Sequence, residues 1–157
     1  MTVFSAIGDA TIVLRGVDYI KPTLIIHVCN NKGAWGAGFV LALENKWPEA
    51  GQRYKKYIKE YGTDALGSVY FVEVEKDVWV GNMIAQTLEG KERELDYEAL
   101  YKCLEQVEKF AYKNDLCIQC PQFGAGLAGA DWIVVEAMLQ SVFGKSDINV
   151  TWYEFNK

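Results

Sequence analysis

Two glycine-rich segments carry the residues whose types and spacing best fit ligand chemistry. Their glycines are Gly33, Gly36 and Gly38 in the first segment and Gly124, Gly126 and Gly129 in the second. Glycine permits positive φ angles and lets a ligand approach the backbone closely. A helix that follows such a loop presents free N–H groups and the positive end of its dipole, which together bind anions. Two such loops suit the two phosphates of a diphosphate, with tight structural turns as the alternative interpretation.

Other common nucleotide motifs do not fit this chain. The sequence contains no Gly-x-x-x-x-Gly-Lys-Ser/Thr string, which disfavours a P-loop. Residues 124–129 match Gly-x-Gly-x-x-Gly, but only one strand is expected after them. A Rossmann half cannot form there, because it needs a complete βαβ unit after the loop.

The elements that must position these loops alternate between strands and helices. Apolar runs predict strands over residues 3–7, 23–28, 68–74, 78–84, 116–120 and 149–155. Helical spacing predicts helices over residues 36–46, 48–61, 97–113 and 131–143, while the polar segment 87–94 is expected to be a loop. This alternation predicts an α/β fold with helices on both faces of a largely parallel sheet, made mixed by one hairpin. Both glycine segments follow strands and would lie at their carboxyl ends.

Length and charge narrow the class of protein. The chain has 157 residues, of which 50% are hydrophobic, and a formal net charge of −5. We expect one domain over residues 1–157, and no binding along a DNA backbone, which requires clustered basic residues. Its apolar runs are far shorter than the roughly 18 residues that span a bilayer. Since the first residues also lack a basic export signal, we expect a cytoplasmic protein without a membrane partner.

Neither a metal nor a cofactor is expected. Cys117 and Cys120 have a spacing that would suit zinc or redox chemistry, but within a strand positions i and i+3 point to opposite faces. His27 is the only histidine and lies in an apolar strand, where a hydrogen-bonded core side chain is the expected role. We therefore predict structural cysteines.

The ordered motifs resemble the macrodomain family over nearly the whole chain. They are Gly8-Asp9-Ala10, the run His27-Val28-Cys29-Asn30, the loop 33–38 and the run 121–132. The resemblance is closest to the branch with the terminal ADP-ribose protein glycohydrolases and the ADP-ribose-1″-phosphate phosphatases. It implies a three-layer αβα fold around a mixed, roughly six-stranded sheet.

The resemblance also implies ligand-binding roles. Asp9 would accept a hydrogen bond from the adenine amino group beside the Ala10 N–H, and Asn30 would face the distal ribose. The other implied ligand-binding residues are Gly33, Trp35, Gly36, Ala37, Gly38 and Phe39 of the first loop, Phe123, Gly124, Ala125, Gly126 and Leu127 of the second, and Tyr153 of the last strand. Read without the resemblance, Asp9 and Asn30 could be turn residues and Trp35 a packing residue.

The resemblance implies two different catalytic mechanisms, and the sequence fits them unequally. The glycohydrolase branch uses a lysine nucleophile and an acid, but residues 82–86 contain no lysine and Ala128 stands at the acid's position. The phosphatase-like interpretation needs a water held near the distal ribose, for which Asn30, His27, Gln86 and Asp131 are the candidate groups. Asp131 could instead cap the final helix.

Three function hypotheses follow. The first is a hydrolase acting on ADP-ribose-1″-phosphate or an ADP-ribosyl ester. The second is a non-catalytic reader of free ADP-ribose or of an ADP-ribosylated protein. The third is a relative that binds a different nucleotide.

Overall fold

A computed structural model describes residues 3–13, 22–35, 38–90, 92–123 and 129–154. These residues form seven strands, four α-helices and one short 3₁₀ helix. The strands are β1 (Val3–Ile7), β2 (Thr23–Asn30), β3 (Val69–Glu75), β4 (Val78–Glu89), β5 (Glu92–Leu95), β6 (Cys117–Pro121) and β7 (Val150–Glu154). The helices are α1 (Val40–Lys46), α2 (Pro48–Tyr61), α3 (Tyr97–Asn114) and α4 (Trp132–Phe143), with the 3₁₀ helix at Gly62–Ala65.

The strands form one mixed sheet in the order β1-β7-β6-β2-β4-β3, with β5 paired to β4. Five neighbouring strands, β1, β7, β6, β2 and β4, run parallel. Strands β3 and β5 run antiparallel to β4, so the expected mixed α/β sheet is confirmed.

Strand β5 is an addition to the roughly six strands expected. The prediction of a loop over residues 87–94 is wrong. These residues belong to a hairpin in which β4 pairs with β5 from Gln86–Leu95 to Glu89–Glu92. Main-chain hydrogen bonds hold this hairpin together, while the described side chains between Gln86 and Leu95 are half-buried or exposed. A polar sequence is compatible with such a strand, and only the buried Leu95 anchors it to the core.

Helices cover both faces of the sheet. Alternate residues of β2 point to opposite faces, as the pleat requires. Leu24 and Ile26 pack into the core formed with α3 and α4, whereas Ile25 packs into the core formed with α1 and α2. Because the central strand is buried on both sides, the three-layer αβα arrangement is confirmed.

The helix starts follow their capping residues. Asp96 accepts a hydrogen bond from Ala99 N at 3.0 Å, and Asp131 accepts one from Ile133 N at 2.9 Å, as expected for N-caps. Helix α1 begins at Val40 and therefore later than predicted, because Gly38 has a φ of +77° and cannot continue a right-handed helix. Of the described helices, none is both long and apolar enough to cross a membrane.

Candidate functional site

The carboxyl ends of the five parallel strands meet at one edge of the sheet, where ligands bind in open α/β folds. The strand register aligns Ile7 with Glu154, Pro121 with Tyr153, and Asn30 with Gln86. The structure therefore brings five of the candidate residues to a common edge. They are Asp9, Asn30, Gln86, Phe123 and Tyr153. Six further candidates, Gly36, Ala37, Gly124, Ala125, Gly126 and Leu127, lie outside the described residues.

Asp9 is held by a local turn directly after β1. Its Oδ1 accepts hydrogen bonds from Thr11 N at 2.8 Å and from Thr11 Oγ1 at 2.7 Å. Thr11 and Ala10 are buried, while Asp9 itself is half-buried. Neither bond uses Oδ2, so the turn fixes the carboxylate, and no hydrogen bond between Oδ2 and another described residue competes with a ligand for this oxygen.

Gln119 fixes the turn from the neighbouring side of the sheet. Its Nε2 donates to Ile12 O at 2.9 Å, with longer contacts of 3.4 Å to Ala10 O and to Tyr153 Oη. Burial raises the pKa of Tyr153, so its hydroxyl stays protonated. Gln119 was not among the residues predicted from the sequence. The signal was its amide inside an otherwise apolar strand, since a buried amide requires partners.

Asn30 organises the loop that follows β2. Its Oδ1 accepts from Lys32 N at 3.0 Å and from Ala34 N at 3.1 Å, while its Nδ2 donates to Ala34 O at 2.9 Å. The buried Tyr54 hydroxyl donates to Asn30 O at 2.6 Å. These bonds make Asn30 the centre of the loop, and its proposed role toward the distal ribose stays a prediction.

Glycine is required in the first loop on conformational grounds. Gly33 and Gly38 have φ angles of +84° and +77°, a region that residues with a Cβ rarely adopt. The loop lies against α2, but a Cβ on Gly33 would be in ordinary contact with Ile58 Cγ2 at 3.7 Å, so the backbone conformation requires glycine there and the available space does not.

Trp35 packs against helices α1 and α2. Its Nε1 donates to Glu44 Oε2 at 3.1 Å, and its ring centroid lies 5.3 Å from that of Tyr54. A Cβ placed on Gly51 would meet Trp35 Nε1 at 2.5 Å. The glycine in α2 thus makes room for the indole beside the first loop.

His27 lies next to the aromatic rings of Trp35 and Phe39. Its ring is 5.5 Å from Trp35 and 5.7 Å from Phe39, measured between centroids. Its Nε2 is 2.7 Å from Asn82 Oδ1, and Asn82 Nδ2 donates to Tyr70 O at 3.2 Å. Since a carbonyl oxygen only accepts, Nε2 carries the proton. Burial lowers the pKa of His27 to about 4, with the Asn82 bond acting in the opposite direction, so the expected core histidine is confirmed and is neutral at pH 7.

Asp131 and Phe123 flank the second glycine segment. Phe123 is buried, with its ring edge-on to Trp132 at 5.6 Å between centroids. Asp131 is exposed and caps α4 through Oδ1. Its backbone N–H donates a hydrogen bond to Tyr97 Oη at 3.2 Å. Packing and capping therefore fix both ends of the segment, while its proposed ligand contacts stay predictions.

The four cysteines, Cys29, Cys103, Cys117 and Cys120, are free thiols. Burial raises the pKa of Cys29, Cys103 and Cys120, which keeps them protonated and unreactive. In the described part of the chain, no group of three His, Cys, Asp or Glu side chains is arranged to hold a metal ion.

Comparison with known proteins points to one family. A sequence profile described as "Macro domain" matches residues 26–139. An ADP-ribose 1″-phosphate phosphatase of Candida albicans is 25% identical over 130 residues, covering 76% of this chain and 81% of that protein. The human ADP-ribose glycohydrolase OARD1 is 38% identical over 58 residues, covering 36% of this chain and 38% of that protein. A solved macrodomain protein from Streptomyces coelicolor is 35% identical with a TM-score of 0.81, covering 96% of this chain and 97% of that one.

Proposed function

Because this chain belongs to the Macro domain family, we propose that it binds ADP-ribose or a derivative and hydrolyses a phosphate or ester at the distal ribose. The similarity to the Candida albicans ADP-ribose 1″-phosphate phosphatase, which extends over most of both chains, supports a phosphatase as the first candidate. The products would be ADP-ribose and inorganic phosphate, with one water consumed.

The observation that carries this proposal is the common edge of the five parallel strands. Asp9 and Tyr153 lie at the β1–β7 end of this edge, and Asn30 and Gln86 lie at the β2–β4 end. Three strand spacings separate β1 from β2, which is about 14 Å at roughly 4.8 Å per spacing. An extended nucleotide diphosphate sugar would place adenine at Asp9 and its second ribose near Gln86, with the phosphates on the glycine loops between them.

Hydrolysis requires a group that orients water at the distal ribose. Gln86 is the best placed of the candidates, because it is buried where the pairing of β4 with β2 ends and is aligned with Asn30. Asn30 would act through the loop that its amide holds, and Asp131 would act from the far side of the second glycine segment. An amide orients a water without removing its proton, so the phosphate itself would take the proton in this scheme.

A second candidate function is a non-catalytic reader of ADP-ribose, including ADP-ribose attached to a protein. The observation that favours the reader is the position of His27, whose ring is buried and hydrogen-bonded to Asn82. The imidazole that would be the natural general base is therefore held within the core.

Phosphate release from ADP-ribose-1″-phosphate distinguishes the two candidates. The phosphatase proposal predicts multiple turnovers by the wild-type chain and a large loss of rate in Gln86→Ala. The matched control Gln52→Ala, on the exposed face of α2, should keep the wild-type rate. Tight binding of ADP-ribose without phosphate release would favour the reader.

A further inference from the structure

The turn after β1 receives side-chain donors from two elements that are distant in the sequence. Gln119 Nε2 of β6 donates to Ile12 O at 2.9 Å and makes a longer contact to Ala10 O at 3.4 Å. Lys46 Nζ of α1 donates to Thr11 O at 2.9 Å. Three successive main-chain carbonyls of this turn are therefore bound by side chains of other elements, which restricts any shift of the turn.

Both elements adjoin a glycine segment of the proposed site. Lys46 is the last residue of α1, the helix that follows the first glycine loop. Gln119 lies two residues before Pro121, the residue with which β6 ends and after which the second glycine segment begins. Val13, just after the turn, packs into the same core group as Leu43 of α1. The position of the turn is thus tied to the elements that flank both loops.

The same turn holds the carboxylate assigned to adenine. Asp9 Oδ1 accepts hydrogen bonds from Thr11 N at 2.8 Å and from Thr11 Oγ1 at 2.7 Å, and the carbonyl of Thr11 accepts the bond from Lys46. Thr11 is fully buried. A displacement of Thr11 would therefore move the Asp9 carboxylate, and a hydrogen bond to a ligand weakens steeply when its geometry departs from linear.

The two donors differ in their surroundings. Gln119 is 5% exposed, so loss of its amide would leave Ile12 O without this partner in the interior. Lys46 is exposed, and its ammonium group reaches Thr11 O with a charge-assisted bond. The turn is thus held from the sheet by a neutral amide and from the helix layer by a cation.

We propose that Gln119 and Lys46 are positioning residues that set the selectivity of the site for adenine by fixing the turn that carries Asp9. The assignment rests on the proposed function, because it takes Asp9 as the acceptor for the adenine amino group. Neither positioning side chain needs to contact the base. Their loss should therefore reduce the discrimination between bases more than the affinity that the two glycine loops supply for the diphosphate.

The test measures base selectivity by calorimetry. The ligands are ADP-ribose and inosine diphosphate ribose, in which a carbonyl oxygen replaces the amino group of the base and the neighbouring ring nitrogen carries a proton. Since Asp9 accepts, the wild type should bind ADP-ribose at least about tenfold more tightly than the inosine ligand. Gln119→Leu and Lys46→Met should each reduce this ratio at least about threefold, because the bond to Asp9 becomes poorly aligned. Lys46→Arg keeps a cationic donor and should stay near the wild-type ratio.

The ratio separates positioning from a loss of folded protein, because both ligands bind the same folded molecules. Gln106→Leu is the matched control, since Gln106 Nε2 also donates to a main-chain carbonyl, Gly67 O at 2.8 Å, but from α3 and not to the turn. It should keep the wild-type ratio. Because Lys46 is exposed, Lys46→Met decides the point if Gln119→Leu does not fold.

The outcomes distinguish failure of this assignment from failure of the proposed function. A selective wild type whose ratio is unchanged in Lys46→Met and in any folded Gln119→Leu would overturn the assignment and leave ADP-ribose binding intact. A wild type that binds both ligands equally would do the same. A wild type that binds neither ligand would reject the proposed function and this assignment together.

Discussion

The hydroxyl of Tyr54 donates to both oxygens of Asn30, at 2.6 Å to the main-chain carbonyl and at 3.1 Å to Oδ1. Tyr54 belongs to α2 and is fully buried, whereas Asn30 is the last residue of β2. One side chain therefore fixes the point at which the central strand passes into the first glycine loop. The loop geometry at the candidate site depends on this contact between the helix layer and the sheet.

Tyr54→Phe should loosen the loop without leaving a large cavity. Loss of the buried hydroxyl leaves Asn30 O without this partner, so the free energy of unfolding should fall by about 1–3 kcal/mol. Affinity for ADP-ribose should fall several-fold because the loop is less well ordered. Urea unfolding and calorimetry measure the two effects.

Tyr57→Phe is the matched control for that variant. Tyr57 lies on the same helix, and its hydroxyl is 2.8 Å from Ser68 Oγ, away from the loop. It should lower stability without changing ADP-ribose affinity. Equal losses of affinity in both variants would contradict the special role of Tyr54.

Asp9→Ala should selectively weaken ligands that contain adenine. A hydrogen bond to a charged group contributes about 1.5–3 kcal/mol, which corresponds to a loss of affinity of roughly tenfold to a hundredfold for AMP and ADP-ribose. Affinity for ribose 5-phosphate, which has no base, should not change. Thr11→Val serves as the control, because it removes one donor to Asp9 Oδ1 while keeping the carboxylate. If Asp9→Ala bound AMP like the wild type, the proposed orientation of the ligand would be wrong.

The helix starts could be predicted from residue types and their order, because capping depends on local rules. Asp96 and Asp131 precede helical runs, and both cap their helices as expected. The residues that hold the site together were not predictable in this way. Gln119 finds its partners in residues 10–12, more than 100 positions earlier in the chain, and only the folded sheet brings them together.

The hairpin at residues 86–95 shows another limit of sequence patterns. Its described side chains between Gln86 and Leu95 are half-buried or exposed, so apolar alternation does not reveal a strand that is held by main-chain bonds. Asn30 shows the same limit at the site, since its partner Tyr54 lies on a helix and its engagement in the loop follows from packing.

Gly51→Ala should destabilise the chain although alanine is the better helix former. In an exposed helix this exchange stabilises by about 1 kcal/mol. Here the new Cβ would meet the Trp35 indole at 2.5 Å, and that ring is held by Glu44. We expect a net decrease in the free energy of unfolding and a shift in tryptophan fluorescence. Gln52→Ala on the exposed side of the same helix is the control, and a more stable Gly51→Ala variant would contradict the packing of Trp35.

His27 should make stability depend on pH below neutrality. Its pKa is about 4 in the folded chain and near 6.5 when unfolded, so between these values the unfolded chain binds the extra proton. The contribution of His27 to the free energy of unfolding is therefore fully present above about pH 6.5. It is lost as the pH falls toward 4, and the total loss is about 3 kcal/mol. Urea unfolding between pH 5 and 8 should show this slope in the wild type and a flatter one in His27→Gln. An imidazole that titrates near pH 6.5 in NMR spectra of the folded wild type would contradict the prediction.

Binding of ADP-ribose is the measurement that tests the central claim most directly. Calorimetric titration of the folded chain should show one site per chain, with affinity decreasing from ADP-ribose to ADP to AMP, since each truncation removes contacts along the edge from Asp9 to Gln86. Absence of binding at millimolar ADP-ribose, with folding verified by circular dichroism, would contradict the claim and leave the two glycine loops to another ligand.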